Sequence, residues 1–427
     1  MKILLVHNGY QQPGGEDIIV EQERRLLEGA GHQVIFYSRS NCEIEDYPAL
    51  VRLSLVKQTV WATDTRRQVS RLLHEEKPQI VHMHNTFLMV SPSVYAACRD
   101  AGVPVVQTLH NYRLLCPATN FFRDGHACEE CLEHSLWRGV FHGCYRDSRP
   151  ATATVALMLG LNRKFGTWEE GVDCYIALTE FARNRFIAGG LPPDKVVVKP
   201  NFVQPDPGPR AGSGDYALFV GRLSPEKGPG ILLEALNQLQ GRIPLVIVGD
   251  GPLRAELESR AKQLRLASVC FRGRRTHEET IAAMQGARCL VLPSVCYENS
   301  PVCIAEAFAC GTPVICSRLG AMAEIVADGR TGLHFIPGSG EDLATKLECA
   351  WANPKRNIEM GEEARAEYEA KFTAERNYRM LMEIYERALT SGRGPAQFQP
   401  ASRALSFRYP TGSSPSTEIS RTATGDS

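Results

Sequence analysis

The chain has no run of 18 apolar residues anywhere in its 427. Nothing in it therefore reads as a membrane-spanning helix. It has no charge excess either: 48 Lys and Arg stand against 48 Asp and Glu. A nucleic-acid binder would carry a basic surplus, so no nucleic-acid partner is expected and any anion site must be local. The opening "MKILLVHNGY" has a single Lys and a five-residue apolar run, too short for a secretory leader, which points to the cytoplasm. No G-x-G-x-x-G is present, since "VGDGPL" lacks the third glycine; this argues against a dinucleotide dehydrogenase. There is no D-x-D to hold a divalent cation.

What is present is one grammar used twice. "KILLV" reads as a buried strand, "EDIIVEQERRLLEGAG" as a helix and "VIFY" as the next strand. Strands follow at 80–84, 104–110, 174–179 and 195–201. Residues 201–215, "NFVQPDPGPRAGSGD", read as a linker. Strand–helix alternation restarts at "YALFVGR" and runs through "PLVIVGDG", "VCFRG", "CLVLPS", "PVICS" and "GLHFI". The spacing predicts two doubly wound parallel-sheet α/β domains, 1–200 and 216–372, facing a cleft. A helix over 373–390 is expected to cross back to the first domain, with a disordered tail over 391–427.

Ligands bind such sheets at their C-terminal edges. There, "GRLSPEKG" places Arg222 and Lys227 on one short loop, able to face a single anion. "CLVLPS" leads into a loop and then a helix over 301–310, with Asn299 or Ser300 as cap and Pro301 at its first position. Free N–H groups at that helix start suit a phosphate. Glu298 sits just outside the helix. Glu306 lies inside it among Ile304, Ala305, Ala307 and Phe308, where a solvated acid is out of place. In the first domain Gly14 and Gly15 precede a helix and let backbone approach a ligand. His110 and His84 each end a strand.

The "GRLSPEKG" loop, the E-x7-E spacing from Glu298 to Glu306, "EAFACGTPVI", "VGDGP", "FRGRRTHEE" and "GAMAEIVADGRTG" together resemble the retaining glycosyltransferases of family four. The resemblance runs over roughly residues 1–390. It implies the GT-B architecture, two Rossmann-like domains with a nucleotide-diphosphate sugar between them. It implies that Arg222 and Lys227 hold the diphosphate and Glu306 the ribose hydroxyls. Glu298 and His110 would act at the reacting sugar, and Gly14, Gly15, Arg274, Asn299, Ser300, Pro301 and Val302 would complete the donor site. The run Asn299-Ser300-Pro301 departs from the Gly-Phe-Gly-like sequence many members carry. Catalysis would need no cofactor, because Arg222, Lys227 and helix amides could balance the leaving charge. An epimerase or phosphorylase on this fold, or a non-catalytic nucleotide-sugar-binding protein, stays open.

Two further features remain. Cys116, Cys128, Cys131 and Cys144 fall within 29 residues, in an insertion near 113–146 whose middle pair is C-x2-C. They are a candidate set for structural zinc. Arg52, Lys57, Arg66, Arg67 and Arg71 read as one helical region with Leu53, Leu55, Val56, Val60 and Trp61. That region would suit peripheral contact with the inner membrane face, where a lipid-linked sugar acceptor could lie.

Overall fold

The computed structural model describes residues 1–11, 14–44 and 55–391. Each half builds one six-stranded, all-parallel sheet. The first has the order β2-β1-β3-β4-β7-β8, from Lys2–Gly9 (β1), Gln33–Ser40 (β2), Ile80–Met83 (β3), Val105–Thr108 (β4), Cys174–Ala177 (β7) and Val196–Val198 (β8). The second has the order β11-β10-β9-β12-β13-β14, from Tyr216–Val220 (β9), Leu245–Val248 (β10), Val269–Gly273 (β11), Ala287–Leu292 (β12), Val314–Ser317 (β13) and Gly332–Phe335 (β14). The strand order reverses beside β1 and again beside β9. Such switch points open a crevice at the sheet's C-terminal edge.

Continuous apolar runs make these strands central. Ile3, Leu4, Leu5 and Val6 are all fully buried, because helices cover both faces of a parallel sheet. Each such side chain contributes about 1.5–3 kcal/mol of burial. A short antiparallel hairpin, Phe122–Arg123 (β5) with His126–Ala127 (β6), lies inside the cysteine-rich segment. Periodicity over two-residue strands is too brief to be read from sequence.

Residues 201–215 are bound to the second unit rather than spanning free space. Arg365 pairs with Asp206 at 2.7 Å, and the Arg210 amide donates to Cys310 O at 2.8 Å. The helix Ala374–Ser391 packs on the first sheet. Its Leu381, Ile384, Tyr385 and Ala388 join Ile3, Leu5, Ile80 and Val106 in one core. The predicted tail beyond 391 lies outside the described residues.

The basic region over 52–71 is not one helix. Leu55–Val60 and Thr63–Glu76 are separate, broken at Trp61–Ala62. Arg66 is tied to Asp100 at 2.6 Å, while Arg52 and Leu53 lie outside the described residues. The expected single stripe is therefore divided between two helices, with Arg66, Arg67 and Arg71 together on the second.

Candidate functional site

The loop after β9 ends in a turn, Pro225–Lys227, followed by Gly228 at φ +64°. A Cβ on Gly228 would stand 2.1 Å from Pro293 O, so only glycine lets this loop lie against the 293–298 loop. The Val295 amide donates to Glu226 O at 2.9 Å and locks the two together. Lys227 Nζ then meets Glu298 Oε1 at 2.6 Å, and Ser294 Oγ donates to the same oxygen at 2.7 Å. Burial opposes ionisation of Glu298, but the Lys227 charge and these hydrogen bonds outweigh it and hold the carboxyl below its usual range. Burial likewise disfavours the Lys227 ammonium, and Glu298 more than reverses that. Arg222 is exposed at the start of the same loop.

The helix spans Val302–Ala309 with Pro301 as its N-cap and no side-chain cap bond. Neither Asn299 nor Ser300 caps it. Asn299 instead donates to Leu109 O at 2.5 Å in the first unit, and Asn201 Nδ2 donates to Ser300 O at 3.2 Å. The Asn299 side chain is turned across the cleft toward Leu109 and away from the helix start. First-turn N–H groups therefore lack a side-chain acceptor. Gly15 faces this point from the other unit, where a Cβ would lie 3.6 Å from Val302 Cγ2. Nothing stands within 4 Å of the corresponding position on Gly14.

Glu306 is nine-tenths buried in that helix, and burial lifts its carboxyl to about 7. His277 Nδ1 approaches Glu306 Oε1 at 3.4 Å from the start of the next helix N-terminal in sequence, His277–Gly286. Sequence reading passed over His277. Its position just past "FRGRRT", at the C-terminal edge of β11, was the available signal. Arg274 is exposed on that same connection.

On the first unit His110 belongs to a buried chain of groups. Lys199 Nζ bonds Glu23 Oε2 at 3.0 Å, and His82 Nδ1 lies 3.1 Å from Glu23 Oε1. The Lys199 charge and the hydrogen bond from His82 hold Glu23 ionised, well below the usual range, against the cost of burial. His84 Nε2 faces Glu23 Oε1 at 3.4 Å, and His84 Nδ1 meets His110 Nε2 at 2.9 Å. Burial lowers both His84 and His110, the latter to about 3, so both rings are neutral. One of His84 Nδ1 and His110 Nε2 donates to the other, which couples the two rings. His84→Ala should lower kcat about 10–100-fold with little change in donor KM, read from initial rates. An unchanged kcat would remove His84 from the positioning role.

Glu16 was also passed over. It accepts from Tyr10 at 2.9 Å and Asn111 at 3.3 Å, and burial pushes it up to about 7. Asp17 caps its own helix through the Gly14 amide at 2.7 Å and bonds His7 at 2.9 Å.

Cys116, Cys128, Cys131 and Cys144 are free thiols lining one small cavity. Among the described residues, the His, Cys, Asp and Glu groups with ligand atoms inside 4.8 Å of one another are Glu23, His82 and His84. The Lys199 ammonium already sits on that carboxylate.

Two family profiles match the chain: "Glycosyltransferase Family 4" over residues 13–207 and "Glycosyl transferases group 1" over residues 204–367. A D-rhamnosyltransferase of Pseudomonas aeruginosa is 36% identical over 161 residues, 37% of this chain and 42% of that protein. The match thus spans less than half of that relative's length. A phosphatidyl-myo-inositol mannosyltransferase of Mycobacterium leprae is 30% identical over 278 residues, 60% of this chain and 71% of that protein. Among solved structures, the Anabaena protein HepE in complex with UDP-glucose superposes with TM-score 0.65 at 19% identity, covering 90% of this chain and 99% of its own. Sucrose-phosphate synthase from Thermosynechococcus elongatus gives 0.67 at 19%, covering 92% and 100%.

Proposed function

Since the chain belongs to the family-four, group 1 glycosyltransferases and has their GT-B architecture, we propose that it moves a sugar from a nucleotide-diphosphate sugar to an acceptor with retention at the anomeric carbon. The observation that carries this reading is the Lys227–Glu298 pair beside the uncapped start of the Val302–Ala309 helix, with Gly15 opposite.

In transfer the bond between the anomeric carbon and a diphosphate oxygen breaks, its electrons leave with the diphosphate, an acceptor hydroxyl oxygen bonds to that carbon, and the hydroxyl proton passes to the departing diphosphate. Lys227, Arg222 and the helix amides balance that growing charge, a task a metal ion performs elsewhere. Glu306 accepts the ribose hydroxyls. Glu298 and His110 face the transferred sugar from opposite units. A neutral His110 can hydrogen-bond a sugar hydroxyl. The acceptor is a sugar or a lipid-linked sugar in polysaccharide or glycolipid assembly, reached from the cytoplasmic side. No described helix is long and apolar enough to cross a membrane.

A thermal-shift screen of nucleotide diphosphates and their sugars, starting with uridine diphosphate glucose, should single out one donor. With that donor and an acceptor, nucleoside diphosphate should be released at the same rate with and without Mg²⁺. Nuclear magnetic resonance of the product should show the donor's anomeric configuration. Inversion, or a Mg²⁺ requirement, would overturn the mechanism. Conversion of the donor sugar without any acceptor would instead favour an epimerase.

A further inference from the structure

We infer that Cys116, Cys128, Cys131 and Cys144 bind one zinc ion, and that this ion braces the loop carrying Glu298. The four thiols line a single cavity although they are spread over 29 residues. None forms a disulfide. Gly139 makes room beside them: a Cβ there would lie 3.2 Å from Cys131 Sγ. Zinc takes such donors in a closed tetrahedron, with sulfurs about 2.3 Å from the metal and so about 3.8 Å apart. No three of these sulfurs stand within 4.8 Å of one another. Binding therefore requires the four sulfurs to move closer together.

Phe121 and Leu136 anchor the segment in the core of the first unit, but little regular structure joins them. Between Cys116 and Cys144 the regular structure is two strands of two residues and helices of four and six. Elements so short do not stabilise themselves. A metal supplies that stability by tying distant positions together. Arg123 and Arg138 line the same cavity and offset the two negative charges of a zinc tetrathiolate. His142 is turned to Glu130 at 3.5 Å, which leaves the cysteines as the ligand set.

What the ion would hold lies between its first two ligands. Asn120 O accepts from the Tyr297 amide at 3.1 Å, and the Phe121 ring packs on Tyr297 at 5.7 Å. Tyr112, tilted against Phe121 at 5.1 Å, donates to Glu298 O at 3.4 Å. Closing the loop from Cys116 to Cys128 thus fixes the backbone on both sides of Glu298, across the cleft.

The test is the metal content of full-length, tag-free protein purified under reducing conditions without chelator, measured by plasma mass spectrometry. About one zinc per chain is expected, falling below a tenth in Cys128→Ser/Cys131→Ser. Folded wild-type protein with less than a tenth of a zinc per chain after growth with added zinc would overturn the proposal. So would full zinc retention in the double variant, or another metal at one per chain in its place. Should the double variant fail to fold, cobalt substitution of the wild type reads the site directly. A sulfur-to-cobalt absorption band supports it, and a spectrum of cobalt bound only by oxygen and nitrogen overturns it. Hydrogen exchange at residues 294–300 should quicken when zinc is stripped; unchanged exchange would refute the bracing. None of these readouts needs sugar transfer, so their failure leaves the transferase reading intact.

Discussion

Lys227→Ala is expected to lower the transfer rate about 10²–10³-fold while the protein stays folded. The size follows from removing one preorganised charge from the place where negative charge develops. A second consequence comes from its 2.6 Å contact with Glu298. Removing the ammonium leaves Glu298 half-compensated by Ser294 alone, which costs on the order of 1–2 kcal/mol, less than for a fully buried pair because Lys227 is partly exposed. The companion variant Lys227→Ala/Glu298→Gln separates the two effects. It should recover the lost melting temperature yet stay inactive. If Lys227→Ala retained full rate under saturating donor, the diphosphate would be held by something else.

Glu306→Gln should move stability and activity in opposite directions. The folded carboxyl keeps its proton up to about 7, whereas its ordinary value is 4.5. Between those values the unfolded chain binds fewer protons than the folded one. Stability therefore falls as pH rises from about 4.5 to about 7, and the loss is complete above that. The amide carries no such penalty, so the variant should gain on the order of 2–3 kcal/mol at pH 8 and nothing at pH 4. Thermal melts at the two pH values check this. Donor KM should meanwhile rise about 10–100-fold, because bonds from hydroxyls to a charged acceptor become bonds to a neutral one. In the wild type, donor affinity should weaken as pH falls below about 7 and Glu306 takes up a proton. A variant both more stable and fully active would make Glu306 a mere buried acid.

The carboxylate pair shows how far residues alone could be read. An acid among Ile304, Ala305, Ala307 and Phe308 is visible as an anomaly, because burial cost is set by residue type. The strands were legible for the same reason: buried parallel strands are continuous apolar runs, and both six-stranded sheets stand where those runs lie. Helix 302–309 was legible to within a residue at each end, but its cap was not. Asn299 has the right chemistry for a cap, and only the proximity of Leu109 O decided that its amide points elsewhere.

His84 marks the other limit. As one histidine at a strand end it carries no sequence signal that separates structural from functional. Its neighbours Glu23, Lys199 and His110 lie between 26 and 115 positions away. Residue type and short-range periodicity thus determined the two α/β units, their strands, the loop of Arg222 and Lys227 and the helix with its buried acid. The fold alone decided the ion pair of Lys227 with Glu298 and the histidine chain behind His110. Propensity and burial act over a few residues and leave a trace in the chain. Contacts between distant positions depend on how the sheets and loops meet, and no local pattern encodes that.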